Sequence, residues 1–124
     1  MVDGDTIRVG GETIRLHGID APELRQTCGD VPCGARSRDR LAAIIGGQAV
    51  QCAGRERDRY RRLVAVCRVA GVDIAGQLVS EGWALAYVRY SRDYLAEETR
   101  ARRQRLGMWA TEFVPPEEWR RGGR

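Results

Sequence analysis

The chain has 124 residues, enough for one hydrophobic core and too few for two. Basic residues exceed acidic ones by 21 to 17, a net charge of +4, and every basic residue is an arginine. No apolar run approaches the roughly 18 residues of a membrane-spanning helix. Met1 leads directly into Val2-Asp3-Gly4, without the segments of a signal peptide. Arginine pairs bidentately with phosphate, so the composition is compatible with a polyanionic partner, but the codon bias of a GC-rich genome is the simpler account of it.

In chain order, residues 2–9 and 12–19 read as strands joined by a two-residue hairpin at Gly10-Gly11. Residues 29–34 read as a loop. A helix is predicted over 35–45, with Leu41, Ala42, Ile44 and Ile45 apolar and Gly46-Gly47 as its stop. Strands over 48–53 and 63–70 form a second hairpin around a polar tip. A helix over 72–82 places Ile74, Leu78 and Val79 on one face. Residues 83–88 are a short strand, and 91–106 a charged helix closed by Gly107, with Glu98 and Arg102 on a solvated face. Residues 1–112 then form one domain and 113–124, with Pro115-Pro116, a tail pinned by Trp119. The order is not the alternation of a parallel sheet. It suits an α+β arrangement, a small closed antiparallel sheet with helices outside.

Four cysteines are present. Cys28 and Cys33 bracket a tight Gly- and Pro-containing loop, and Cys52 and Cys67 lie nearly equidistant from the tip of the second hairpin. Directly opposed strand residues have Cα atoms about 4.5–5.5 Å apart, within disulfide range. Two disulfides, four reduced core cysteines and a zinc site are the readings; no Cys-x-x-Cys spacing supports zinc. Disulfides imply an oxidising compartment.

The chemistry concentrates in Asp3-Gly4-Asp5-Thr6 and in Arg15-Leu16-His17-Gly18-Ile19-Asp20-Ala21-Pro22-Glu23. Carboxylates give hard divalent cations their oxygen ligands, and a phosphate under attack wants cations. A turn accounts for Asp3 and Gly4, but not for Asp5 at the strand mouth. Asp20 and Glu23 have the spacing of a helix-capping pair, yet they follow Arg15 by only five and eight residues. One conflict arises. A strict Gly10-Gly11 turn pairs Thr6 with Arg15, which sets Asp5 and Arg15 on opposite faces, unless a bulge or loose strand ends bring them together. His17 is the only histidine and reads as a strand side chain.

These segments closely resemble the catalytic segment of the staphylococcal nuclease (thermonuclease) family. Asp58-Arg59-Tyr60-Arg61-Arg62-Leu63-Val64-Ala65 is similar to that family's D-x-Y-G-R-x-x-A signature, with Arg61 in place of the glycine. Gly82-Trp83-Ala84, Ala86-Tyr87, Tyr94 and Gly107-Met108-Trp109 match further landmarks in order. The resemblance implies a five-stranded antiparallel OB-fold β-barrel with three α-helices. It implies a Ca²⁺-dependent nuclease on DNA and RNA with little sequence preference, leaving 3′-phosphates. By resemblance, Asp5, Asp20 and the Ala21 carbonyl ligate calcium, and Glu23 directs water. Arg15 and Arg62 clamp phosphate, and Tyr87 lines the site; Tyr60, Tyr87 and Tyr90 read either as platforms on which bases stack or as packing side chains. A monomer outside the membrane, secreted or periplasmic like exported members with this cysteine pattern, is expected. The family's first strand starts earlier, so this chain looks cut short. Two departures matter: Arg61, which costs roughly 1–2 kcal/mol if φ is positive, and Ala75 where an asparagine is usual. The alternative is an inactive barrel that only binds nucleic acid or protein.

Overall fold

The first hairpin forms in the expected register. β1 (Thr6–Val9) and β2 (Glu12–Leu16) pair antiparallel, Val9 with Glu12 and Thr6 with Arg15. Gly10 and Gly11 take φ of 56° and 81° at the turn, a region glycine enters without steric cost. The structure is a computed structural model that describes residues 3–122. The first residue of the predicted strand 2–9 and the last two of the tail 113–124 lie outside the described residues.

The predicted strand 12–19 is two strands. Gly18, at φ 79°, breaks it, and β3 (Ile19–Asp20) leaves the hairpin to pair antiparallel with β7 (Leu85–Ala86). Between them, α1 (Cys33–Ile45) ends at Gly46 in the left-handed region, whose N–H donates to the Ala42 carbonyl. β4 (Gln51–Arg57) runs antiparallel to β5 (Leu63–Val69) with a shift of register between Ala53 and Glu56. β4 therefore extends into the predicted polar tip as far as Arg57. β6 (Val72–Asp73) folds back on β5, and Asp73 caps α2 (Ile74–Ser80) by accepting the Gly76 N–H at 3.2 Å. α3 (Leu95–Gln104), a 3₁₀ turn (Gly107–Ala110) and α4 (Pro116–Arg120) complete the chain.

The α+β class is observed, but two details of the expected architecture are not. The main sheet is mixed rather than antiparallel. Its order is β1-β2-β5-β4, with β6 on β5, and β2 and β5 run parallel. The long connection through β3, α1 and β4 lets β5 arrive beside β2 in the same direction, and β3 pairs in a separate ladder, so the sheet does not close on itself. Four α-helices are present among the described residues rather than three. The fourth begins at the Pro115-Pro116 pair that suggested an irregular tail. Proline is favoured at a first helical position, and Glu117 and Glu118 follow in the first turn.

Ile7, Leu16, Ile19, Leu41, Ile74 and Leu78 are fully buried in the principal core. A satellite cluster of Cys28, Cys33 and Met108 takes in Trp83 and Phe113. Both cysteine pairs are disulfides, Cys28–Cys33 and Cys52–Cys67, and the latter two are direct register partners. No helix among the described residues is long and apolar enough to cross a membrane.

Candidate active site

Asp5 lies one residue before β1, beyond strict alternation, and this resolves the facing conflict. It remains tied to the hairpin because the Leu16 N–H donates to its carbonyl at 2.8 Å. Its buried carboxylate accepts the Ala21 N–H at 2.9 Å and the Thr6 hydroxyl at 3.1 Å. Arg15 reaches it from β2, Nη1 to Oδ2 at 3.5 Å, and approaches Asp20 with Nη2 at 4.0 Å. Arg15 Nη1 also donates to the Leu16 carbonyl at 2.9 Å, which fixes the guanidinium. Burial would raise the Asp5 carboxyl. The Arg15 charge and the hydrogen bonds from Asp3, Ala21 and Thr6 outweigh it and hold Asp5 below the usual range.

The Gly18 break carries Asp20 to the same place on β3, where it is buried. Burial pushes its carboxyl up, against the opposing pull of Arg120. Glu23 follows two residues after Ala21 and remains partly exposed. Arg120, at the end of α4, donates through Nη1 to Asp20 at 3.0 Å and to Glu23 at 2.9 Å, and through Nη2 to Asp20 at 3.2 Å. Sequence reasoning missed Arg120 because it treated 113–124 as a tail. An arginine closing a Pro-initiated helix was the available signal.

Arg62 enters from the β4–β5 loop. Asp58 accepts the Arg62 N–H at 3.0 Å and its Nε at 2.7 Å, and Arg62 Nη1 lies 3.4 Å from the Thr6 hydroxyl. Arg61 takes φ 67°, the conformation that the family glycine would meet without strain. Tyr60 is 64% exposed, with the Arg59 and Arg62 guanidiniums 5.0 and 5.3 Å from its ring centre. Tyr87, just after β7, has Arg15 at 6.0 Å and packs edge-on against Tyr90 at 4.8 Å. His17 pairs with Asp93 at 2.9 Å.

Comparison with known proteins gives the family. The profile of the family described as staphylococcal nuclease homologue matches residues 13–111. The chain belongs to that family. It is 38% identical over 142 residues to the micrococcal nuclease of Shigella flexneri, covering 100% of this chain and 79% of that protein. It is 35% identical over 127 residues to an uncharacterized endonuclease of Haemophilus influenzae, covering 96% and 68%. It is also 32% identical over 117 residues to the succinoglycan biosynthesis protein ExoI of Rhizobium meliloti, covering 88% and 61%.

Within this nuclease family a divalent cation is implied, and the donor set fits one. Asp3, Asp5, Asp20 and Glu23 bring four carboxylates to the site against the guanidiniums of Arg15 and Arg120. With all groups ionised two negative charges remain, and the donors are hard oxygens. Among the described residues no three His, Cys, Asp or Glu side chains form a metal cluster by themselves, so a backbone carbonyl, water or substrate must complete the coordination. Asp3, read from sequence as a turn residue only, accepts the Asp5 N–H at 3.1 Å and also stands beside the Asp5 carboxylate. Glu98, expected on a solvated face, is 9% exposed and accepts the Ala86 N–H at 3.1 Å, securing the strand that precedes Tyr87.

Proposed function

We propose that the chain is a Ca²⁺-dependent nuclease. It hydrolyses phosphodiester bonds of DNA and RNA with low sequence specificity and leaves 3′-phosphate ends. The observation that carries this is the approach of the buried Asp5 and Asp20 carboxylates to one guanidinium, Arg15, with Glu23 joined to Asp20 through Arg120. Calcium held by Asp5, Asp20 and the Ala21 carbonyl would supply a Lewis acid at a phosphoryl oxygen.

Glu23, partly exposed and fixed by a hydrogen bond, orients the attacking water and accepts its proton. The water oxygen bonds to phosphorus, the bond to the 5′ oxygen breaks, that oxygen takes a proton from solvent, and the phosphate stays on the 3′ side. Arg15 and Arg62 stabilise charge on the phosphoryl oxygens. Tyr60 and Tyr87 offer ring faces to bases without selecting among them. The two disulfides support a secreted or periplasmic setting.

Digestion of denatured DNA and of RNA in calcium, then in excess chelator, tests the reading. Glu23→Gln is expected to lose at least about 100-fold in kcat, the scale of a displaced general base. A folded protein that cleaves neither substrate would point to a binding module instead.

A further inference from the structure

Arg120 lies 100 positions from Asp20 and 97 from Glu23, yet a single nitrogen serves both carboxylates. Nη1 is shared between Asp20 Oδ1 and Glu23 Oε1, while Nη2 holds the second oxygen of Asp20. The fork therefore fixes the orientation of one carboxylate and the distance of the other from it. Without it, two like charges would face each other, and Glu23, a flexible side chain near solvent, would turn outward.

The segment carrying Arg120 is docked by independent contacts. Pro116 is fully buried, and Glu117 forms an ion pair with Arg89. Gln26 is 1% exposed and reads both sides of the junction. Its Nε2 donates to the Val114 carbonyl at 2.7 Å, and its Oε1 accepts the Glu23 N–H at 3.3 Å. Side chain and backbone of Glu23 are thus each referred to the C-terminal segment.

We propose that Arg120 is a positioning residue of the active site, setting Glu23 against Asp20 so that water is directed at the phosphate. This rests on the nuclease reading above. Two other roles give different signatures. An arginine that merely fills the place of a cation would slow the enzyme, and its removal would tighten calcium binding and leave kcat equal or higher. An arginine that merely clamps the fold would, on removal, lower melting temperature and calcium affinity together.

The test is steady-state cleavage of a short single-stranded oligonucleotide at saturating calcium by wild type, Arg120→Ala and Arg120→Lys. Arg121→Ala, an exposed neighbour with the same charge loss, is the control. Calorimetry gives calcium affinity in parallel. The expectation for Arg120→Ala is a kcat lower by about 10–100-fold, the scale of a misplaced reacting group. KM is expected within about threefold and calcium affinity no weaker than wild type. Millimolar guanidinium should restore part of the rate, and Arg120→Lys should fall between. An unimpaired kcat in Arg120→Ala overturns the proposal, as does joint loss of rate, calcium affinity and melting temperature that guanidinium does not repair. If Arg120→Ala does not fold, Arg120→Lys decides. A reduced kcat with calcium affinity kept supports positioning, and an unchanged kcat overturns it. A wild-type protein that cleaves nothing overturns the nuclease reading and this proposal together; an active wild type with an unimpaired variant overturns this proposal alone.

Discussion

Two carboxylates beside each other cannot both ionise cheaply, and Asp3 and Asp5 divide the cost unequally. Asp5 has Arg15 and three hydrogen-bond donors, so Asp3 is the one of the two that takes up a proton first, its carboxyl raised to about 7 by burial and by the Asp5 charge. A carboxyl raised on folding binds protons that the unfolded chain, with a value near 3.8, has released. Its contribution to stability is therefore greatest below about pH 4 and declines as pH rises towards 7. In calcium-free protein, Asp3→Asn should raise stability at pH 8 by on the order of 2 kcal/mol. Thermal melts at pH 4 and pH 8 check this, since the difference should vanish at the lower pH. Asn keeps the oxygen that accepts the Asp5 N–H, so the turn itself is preserved. Asp5, Asp20 and Glu23 stood out in the sequence through the family resemblance of their segments, whereas strand register alone set Asp5 and Arg15 on opposite faces. Asp3 did not stand out, since its turn role hid its second neighbour.

At the scale of elements, glycine sets how closely α1 approaches the acidic loop. A Cβ on Gly34, in the first turn of α1, would lie 1.8 Å from the Glu23 carbonyl and 2.6 Å from that of Leu24. Backbone atoms give way less readily than side-chain tips, so Gly34→Ala must push helix and loop apart. The expected cost is about 1–3 kcal/mol of stability, as for other overpacked sites. A loss of kcat should accompany it because Glu23 moves. Denaturant titration and single-substrate kinetics measure the two effects. Elements fixed by local chemistry were visible in the sequence: the Gly10-Gly11 hairpin, the Gly46 stop of α1 and the helical face of α2. Those fixed by distant partners were not. The division of residues 12–19 at Gly18 depends on a distant strand, β7, where Ala86 pairs with Ile19. The parallel pairing of β2 with β5 is equally non-local, and the burial of Glu98 follows from a single backbone N–H offered by β7.

Across the whole molecule, the disulfides secure different regions. Cys52–Cys67 spans a sequence separation of 15 inside the main sheet, while Cys28–Cys33 spans 5 beside the satellite core. On the chain-entropy account the longer loop contributes about 3 kcal/mol and the shorter one less. Thermal melts of paired Cys→Ala variants should therefore show the larger loss for Cys52 and Cys67. The Cys28–Cys33 pair should weigh more on catalysis, because Cys33 Sγ lies 3.6 Å from the carbonyl of Gln26, which links Glu23 to the C-terminal segment. The long reach of Arg120 also has a meaning in time. Synthesis is vectorial, so the arginine that holds Glu23 is added 97 positions after it. Throughout that interval Asp20 and Glu23 lack the guanidinium that joins them in the folded protein. The nascent chain thus carries its acidic centre long before it carries the means to aim it.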